Sequence, residues 1–184
     1  MCKYKVYETL FEKQTQYFEK KQNVFVWDAP SHALSRPFTN NYSLSDVAEW
    51  LYEILAKEEI YNPIIIGQSM GGYLAQMYME LYPDKIKGFI SIDSAPLQKS
   101  YMTAMEIWLL ERAEPLYKIY PWKALLICGE KDKAGSAKSY NKKWHQREGL
   151  PIKWIKNAGH NSKADQPDEV NRLIEKFISE VEGK

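Results

Sequence analysis

The sequence predicts an α/β fold in which a mostly parallel sheet is flanked by helices. Short apolar runs alternate along the chain with amphipathic segments of helical length, which is the order of elements in parallel α/β folds. Residues 63–66, a proline followed by three isoleucines, form a continuous apolar run, as expected for a strand buried on both faces. The length of 184 residues suits one domain over residues 1–184.

The remaining elements follow from the same apolar patterns. Ser45 is expected to cap the helix at 46–57, whose apolar residues fall on one face. The terminal helix at 168–180 is amphipathic in the same way. Strands are predicted at residues 23–27, 63–66, 88–92, 124–128 and 152–155, and helices at 9–20, 46–57, 70–81 and 168–180.

The composition indicates a globular protein and argues against several other classes. Hydrophobic residues make up 45% of the chain, charged residues 27%, and the net charge of +1 gives no sign of nucleic-acid binding. No apolar run approaches the roughly 18 residues of a membrane helix, and no signal-peptide core is recognisable. Cys2 and Cys128 make no disulfide framework, and Cys128 is expected to be buried. We therefore expect a cytoplasmic protein that binds neither nucleic acid nor membrane.

Residues 67–71 match the G-x-S-x-G pattern of a nucleophile elbow, a sharp turn from a strand into a helix that holds the serine in a strained conformation. Glycines at Gly67 and Gly71 are expected because larger side chains on either side of Ser69 would collide. The backbone N–H of Met70 would lie at a helix N-terminus, where it can stabilise an oxyanion. The predicted strand and helix around the motif favour Ser69 as a nucleophile over a capping serine in a Gly-rich turn.

A serine nucleophile requires a base, and the chain has three histidines. His160 follows the last predicted strand, so its loop is expected at the carboxyl edge of the sheet beside the elbow. His32 is also expected at that edge, whereas His145 lies in a polar helical stretch and is expected on the surface. His160 is favoured because it satisfies the chain order of nucleophile, acid and base.

The base in turn requires an orienting carboxylate. Asp132 follows the fourth predicted strand and lies between Ser69 and His160 in sequence. Asp93, after the third strand, is the rival candidate, and Glu130 is a weaker one. Asp132 is favoured because its loop can reach that of His160 on an adjacent strand.

The segment 97–122 interrupts the alternation of strands and helices and is rich in tyrosine, methionine and tryptophan. At the carboxyl ends of the strands such an insertion covers the ligand crevice, so we expect either a reduced lid or a plain packing helix. Its candidate substrate-contacting residues are Tyr101, Met105, Trp108 and Tyr117. No metal-ligand spacing, dinucleotide-binding motif or P-loop is present, so neither a metal nor a cofactor is expected.

Four segments in chain order together resemble the α/β-hydrolase superfamily. They are W-D-A-P-S-H-A-L-S at 27–35, G-Q-S-M-G-G at 67–72, L-I-C-G-E-K-D at 126–132 and N-A-G-H at 157–160. The similarity covers about residues 23–178 and is greatest to single-domain esterases, thioesterases, haloperoxidase-like proteins and C–C-bond hydrolases. It implies an α/β-hydrolase-type sheet, with Ser69 as nucleophile, Asp132 as acid, His160 as base and the Met70 N–H as oxyanion donor. The serine argues against the haloalkane dehalogenases of this superfamily, which use aspartate.

The sequence also departs from this family. The first segment has Ser31 and Ala33 where the family has two glycines. The family implies about three earlier strands, the third ending in a His-Gly motif whose following loop donates the second oxyanion N–H; this chain has no His-Gly dipeptide. We therefore expect a shortened chain that lacks the strand between 23–27 and 63–66. A partner copy that supplies this strand, by swapping or dimerisation, is the alternative.

These observations predict a serine hydrolase that cleaves a small-molecule ester, thioester or related carbonyl compound through an acyl-enzyme. Two alternatives remain open. One is an impaired α/β-hydrolase-fold protein that binds a ligand or partner, motivated by the missing His-Gly motif. The other is C–C bond cleavage, perhydrolysis or a lyase step at the same three residues.

Overall fold

The computed structural model describes residues 9–32, 35–36, 41–97, 123–135 and 137–183. Their strands form one parallel sheet of four, in which the strands lie side by side in chain order. All four strands therefore end at the same edge of the sheet. The strands are β1, Ile64–Gln68; β2, Gly88–Ile92; β3, Lys123–Gly129; and β4, Ile152–Ile155.

The four predicted strands from 63–66 onward are confirmed, each within two residues of the expected bounds. β1, β2 and β3 form because their mostly apolar runs suit a parallel sheet covered on both faces, whereas β4 includes the exposed Lys153. All five residues of β2 are buried, as this explanation requires. The result is a parallel α/β sheet with flanking helices, as the sequence predicts.

The helices cover the sheet on both faces. One face packs against α1 (Glu12–Phe18) and α6 (Pro167–Glu182). The other packs against α3 (Met70–Leu81) and α4 (Ala137–Glu148), with α2 (Leu44–Lys57) packed on α3. A 3₁₀ turn, Thr9–Phe11, precedes α1 and another, Pro83–Lys85, follows α3. The helices are α1, Glu12–Phe18; α2, Leu44–Lys57; α3, Met70–Leu81; α4, Ala137–Glu148; α5, Ser162–Asp165; and α6, Pro167–Glu182.

The N-cap of α2 is Ser43, so the prediction of Ser45 is wrong. The Ser43 hydroxyl accepts a hydrogen bond from the N–H of Asp46, and the Asp46 carboxylate accepts one from the N–H of Ser43. This reciprocal pair is a capping box, and it requires an acidic or amide side chain three residues after the cap. Ser43 has that partner, whereas three residues after Ser45 stands Ala48.

The strand predicted at 23–27 is absent, and this prediction is also wrong. Residues 23–29 form no strand, although Val24 packs on the α1–α6 face while Phe25 and Trp27 pack on the α2–α3 face. The side chains thus alternate as they would in a strand, but a strand also needs a neighbour that completes its hydrogen bonds. Among the described residues the sheet ends at β1, so no such neighbour lies beside this run.

Within the described residues β1 has a strand neighbour on one side only. Its three isoleucines are only partly buried, whereas every residue of β2 is buried. The strand that leads into the elbow is therefore an edge strand of the described sheet.

Within the described ranges no helix is long and apolar enough to cross a membrane.

Candidate active site

The elbow at Ser69 has the strained backbone that the motif predicts. Ser69 joins β1 to α3 with φ 51° and ψ −118°, a left-handed conformation that a non-glycine residue rarely adopts. Its N–H donates to the carbonyl of Ile92 at 3.0 Å, and its carbonyl accepts from the Ser94 hydroxyl at 2.7 Å. The end of β2 therefore holds the strained turn in place.

The crowding around the elbow involves a different pair of glycines from the expected one. A Cβ at Gly67 would lie 2.3 Å from the carbonyl oxygen of Gly71, so this position requires glycine. A Cβ at Gly71 would meet nothing within 4 Å, and the predicted collision there is wrong. At Gly72 a Cβ would lie 2.3 Å from the Ser94 hydroxyl. The second tight glycine is therefore Gly72, which faces the loop after β2.

The structure brings Ser69, His160 and Asp132 together in one hydrogen-bonded chain. The Nε2 atom of His160 lies 2.9 Å from the Ser69 hydroxyl, and its Nδ1 lies 3.0 Å from the Asp132 carboxylate. A carboxylate can only accept, so the neutral ring must carry its proton on Nδ1 and accept from the serine at Nε2. In this tautomer His160 can remove the proton from the Ser69 hydroxyl.

Asp132 is buried, whereas His160 is open to the cavity. The Asp132 side chain is 1% exposed and that of His160 is 38% exposed. The carboxylate oxygen that does not face His160 accepts from the N–H of Ala134 at 2.7 Å. Both carboxylate oxygens are thus occupied, and the orientation of the carboxylate toward His160 is fixed.

The rival residues have other partners. Asp93 accepts from the backbone N–H groups of Gly129 and Ser162. Burial raises the pKa of its carboxyl, and hydrogen bonding by the side chain and backbone of Ser162 and by the backbone of Gly129 opposes the rise. Glu130 is exposed. The rings of His32 and His145 lie against the backbone carbonyls of Pro30 and Leu150 respectively, and His145 is exposed on α4.

A cavity of about 240 Å³ opens beside the Ser69 hydroxyl. Small residues of the loops after β2 and β3 and two tyrosines surround it. Tyr73 was not predicted, although its position one turn after Ser69 on α3 could have identified it as a cavity residue. Nothing in the sequence around Tyr140, on α4, indicates that it lines the cavity. The lining residues are Ser69, Tyr73, Asp93, Ser94, Ala95, Ala134, Gly135, Ala137, Tyr140 and His160.

The other predicted site residues are placed as follows. Met70 is the first residue of α3, so its N–H lies in the first turn of that helix as expected. Tyr101, Met105, Trp108 and Tyr117 lie outside the described residues, as does all of 97–122 except Leu97. In the described part of the chain no group of three His, Cys, Asp or Glu side chains could hold a metal ion.

The sequence profile of the alpha/beta hydrolase fold family matches residues 7–113, which is more than half of the chain. The chain belongs to the α/β-hydrolase family. The match includes the elbow and the loop after β2, and it ends before Asp132 and His160. A comparison with curated proteins finds no significant match.

Solved structures of α/β hydrolases superpose on nearly the whole chain. A thermophilic esterase from Thermogutta terrifontis is 16% identical, with a TM-score of 0.77 over 94% of this chain and 85% of that chain. A meta-cleavage product hydrolase from Pseudomonas fluorescens is 16% identical, with a TM-score of 0.76 over 92% and 84%. An E-2-(acetamidomethylene)succinate hydrolase is 18% identical, with a TM-score of 0.73 over 92% and 86%. At these identities the likeness establishes the α/β-hydrolase fold.

Proposed function

We propose that this α/β-hydrolase is a serine hydrolase that cleaves a small ester, thioester or related carbonyl compound. The proposal rests on the hydrogen-bonded chain from the Ser69 hydroxyl through His160 to Asp132, with distances of 2.9 and 3.0 Å. The three side chains come from loops after three different strands. Such a chain activates a serine because the base accepts its proton while the acid holds the base and stabilises its charged form.

The reaction proceeds in two steps. The Ser69 oxygen attacks the substrate carbonyl carbon as His160 Nε2 takes its proton, and the tetrahedral oxyanion forms near the Met70 N–H at the start of α3. His160 then returns the proton to the leaving group, which departs and leaves an acyl group on Ser69. In the second step His160 takes a proton from water as the water oxygen attacks the acyl carbon. The bond from that carbon to the Ser69 oxygen then breaks, His160 returns the proton to this oxygen, and the acid product leaves.

The size of the cavity favours a short acyl group. A volume of about 240 Å³ lies below the roughly 300–1,000 Å³ that is usual for pockets that hold drug-sized ligands.

We include in the proposal a cytoplasmic location, with which the free, buried thiol of Cys128 agrees.

Hydrolysis of p-nitrophenyl acetate tests this function. We expect turnover by the wild-type protein, a slower rate with the longer p-nitrophenyl decanoate, and loss of turnover in Ser69→Ala. Turnover that is equal in wild type and Ser69→Ala would show that another group performs the hydrolysis.

A second candidate is a ligand- or partner-binding protein that has lost most of its activity. Two observations favour it. β1 is an edge strand of the described sheet, and the Met70 N–H is the one oxyanion donor identified among the described residues. A homo-oligomer, or a second copy that adds a strand to β1, belongs to this candidate. Turnover that depends on Ser69 would exclude it. C–C bond cleavage, perhydrolysis or a lyase step at the same residues would appear as turnover of other substrates with the same Ser69 dependence.

A further inference from the structure

The buried carboxylate of Asp93 joins the acid loop to the base loop. One oxygen accepts from the N–H of Gly129 at 2.8 Å, and the other accepts from the N–H of Ser162 at 2.7 Å. Gly129 ends β3 three residues before Asp132, and Ser162 begins α5 two residues after His160. Asp93 is 1% exposed, so water does not compete for these bonds.

Asp93 is itself held firmly at the end of β2. Its N–H donates to the carbonyl of Ile127 at 2.8 Å, and its φ of 47° turns the chain in the left-handed region. The next residue, Ser94, donates to the carbonyl of Ser69 at 2.7 Å. Residues 93 and 94 therefore contact all three segments that carry Ser69, Asp132 and His160.

The two loops are also bound to each other. The N–H of Lys131 donates to the carbonyl of Ala158 at 2.8 Å, and that of Glu130 donates to the carbonyl of Ile155 at 3.0 Å. These bonds fix one loop relative to the other, whereas the bonds of Asp93 fix both loops relative to the strand that supports the elbow. This second connection links the segment of His160 to that of Ser69 through the end of β2.

We propose that Asp93 is a positioning residue that sets His160 against both Ser69 and Asp132, a role that rests on the function proposed above. Two acceptor oxygens are needed because both partners are N–H donors. In an Asp93→Asn variant the side-chain amide would offer one acceptor oxygen, and its NH₂ group would face an N–H that has nothing to bond. The variant keeps the size of the side chain and removes one of the two connections.

The test compares Asp93→Asn with Asp84→Asn, an exposed aspartate that precedes β2 at the opposite edge of the sheet. The first readout is the NMR signal of the proton on Nδ1 of His160, assigned by its loss in His160→Ala. We expect Asp93→Asn to lose or broaden this signal, and Asp84→Asn to keep it. This readout requires no turnover, so it is independent of whether the protein hydrolyses esters.

The second readout is the kinetics of p-nitrophenyl acetate hydrolysis. We expect kcat of Asp93→Asn to fall about 10²-fold, which a displacement of about 1 Å at a catalytic group can cause, while KM stays nearly unchanged. In the His160→Ala background the same substitution should have no further effect, because Asp93 acts through His160. A merely structural role would lower the folded fraction in both backgrounds alike.

Two results would overturn the proposal. The first is an unchanged His160 signal in folded Asp93→Asn, even if the esterase activity itself is established. The second is rapid hydrogen exchange of the Gly129 or Ser162 amide in the wild-type protein. If both amides donate to Asp93, they should exchange with solvent as slowly as the amides that pair β2 with β3. This measurement does not depend on whether the variant folds.

Discussion

The side chain of Gln68 donates a hydrogen bond from Nε2 to the backbone carbonyl of His160 at 2.8 Å. Gln68 is the last residue of β1 and directly precedes Ser69. The residue before the nucleophile therefore holds the main chain of the base from one side, while the Asp132 carboxylate holds its ring from the other. The separation of Ser69 from His160 depends on both contacts.

Replacement of Gln68 by methionine should lower the activity without unfolding the protein. Methionine keeps the length of the side chain but donates no hydrogen bond, so the loop that carries His160 loses one anchor. We expect kcat for p-nitrophenyl acetate to fall about tenfold, which corresponds to the loss of one hydrogen bond of about 1.4 kcal/mol. Gln146→Met, an exposed glutamine on α4, is the matched control. Equal kcat values for the two variants would contradict a positioning role for Gln68.

Substitution of Asp132 by asparagine should have a much larger effect. The amide can donate to Nδ1 and so favour the tautomer in which Nε2 carries the proton and cannot accept from Ser69. We expect kcat to fall about 10³–10⁴-fold, as in other serine triads. Glu130→Gln removes an exposed charge from the same loop and should change kcat little. If Glu130→Gln were the more damaging variant, Glu130 and not Asp132 would be the acid.

The two glycines after Met70 should respond oppositely to substitution by alanine. Gly72→Ala places a methyl group 2.3 Å from the Ser94 hydroxyl and should lower the free energy of unfolding by about 1–3 kcal/mol. Gly71→Ala meets no neighbour within 4 Å and should raise it by about 0.4–1 kcal/mol, because alanine loses less backbone entropy in a helix. Urea unfolding of both variants measures the difference. A Gly71→Ala variant less stable than Gly72→Ala would contradict the observed packing.

Tyr78 should make the protein less stable at alkaline pH. Burial, the main cause, raises the pKa of Tyr78 to about 12 from 10.0 in the unfolded chain. The folded state thus keeps a proton that the unfolded state loses between these values, so this contribution is complete below pH 10 and is lost as the pH rises toward 12. Thermal melting across this range should show a steeper fall in Tm for wild type than for Tyr78→Phe. Parallel plots of Tm against pH for the two proteins would contradict this contribution of Tyr78.

Much of the fold was predictable because its signals are local. Strands β1 to β3 are mostly apolar, and the carboxyl ends of parallel strands meet at one edge. That rule alone places Ser69, Asp132 and His160 near one another. The strand expected at 23–27 fails for a non-local reason, because the alternation of its side chains does not reveal whether a neighbouring strand exists.

The missed parts of the site depend on contacts between distant segments. The choice of Asp132 over Asp93 could be argued from sequence, but the bridge from Asp93 to Gly129 and Ser162 could not. It depends on how two loops lie after they leave different strands. Tyr140 reaches the cavity only because α4 packs across the sheet beside α3. The cap of α2 is different, since Asp46 already marks Ser43 as the start of a capping box.

Labelling by a fluorophosphonate probe, with the adduct located by mass spectrometry, tests the central claim most directly. Such probes phosphonylate a serine, with fluoride as the leaving group, only when a neighbouring base activates it, and the reaction needs no knowledge of the substrate. We expect the folded protein to carry one adduct, on the peptide that contains Ser69, and expect His160→Ala, Ser69→Ala and heat-denatured protein to carry none. A folded wild-type protein that stays unlabelled while a control serine hydrolase reacts would contradict the assignment of Ser69 as an activated nucleophile.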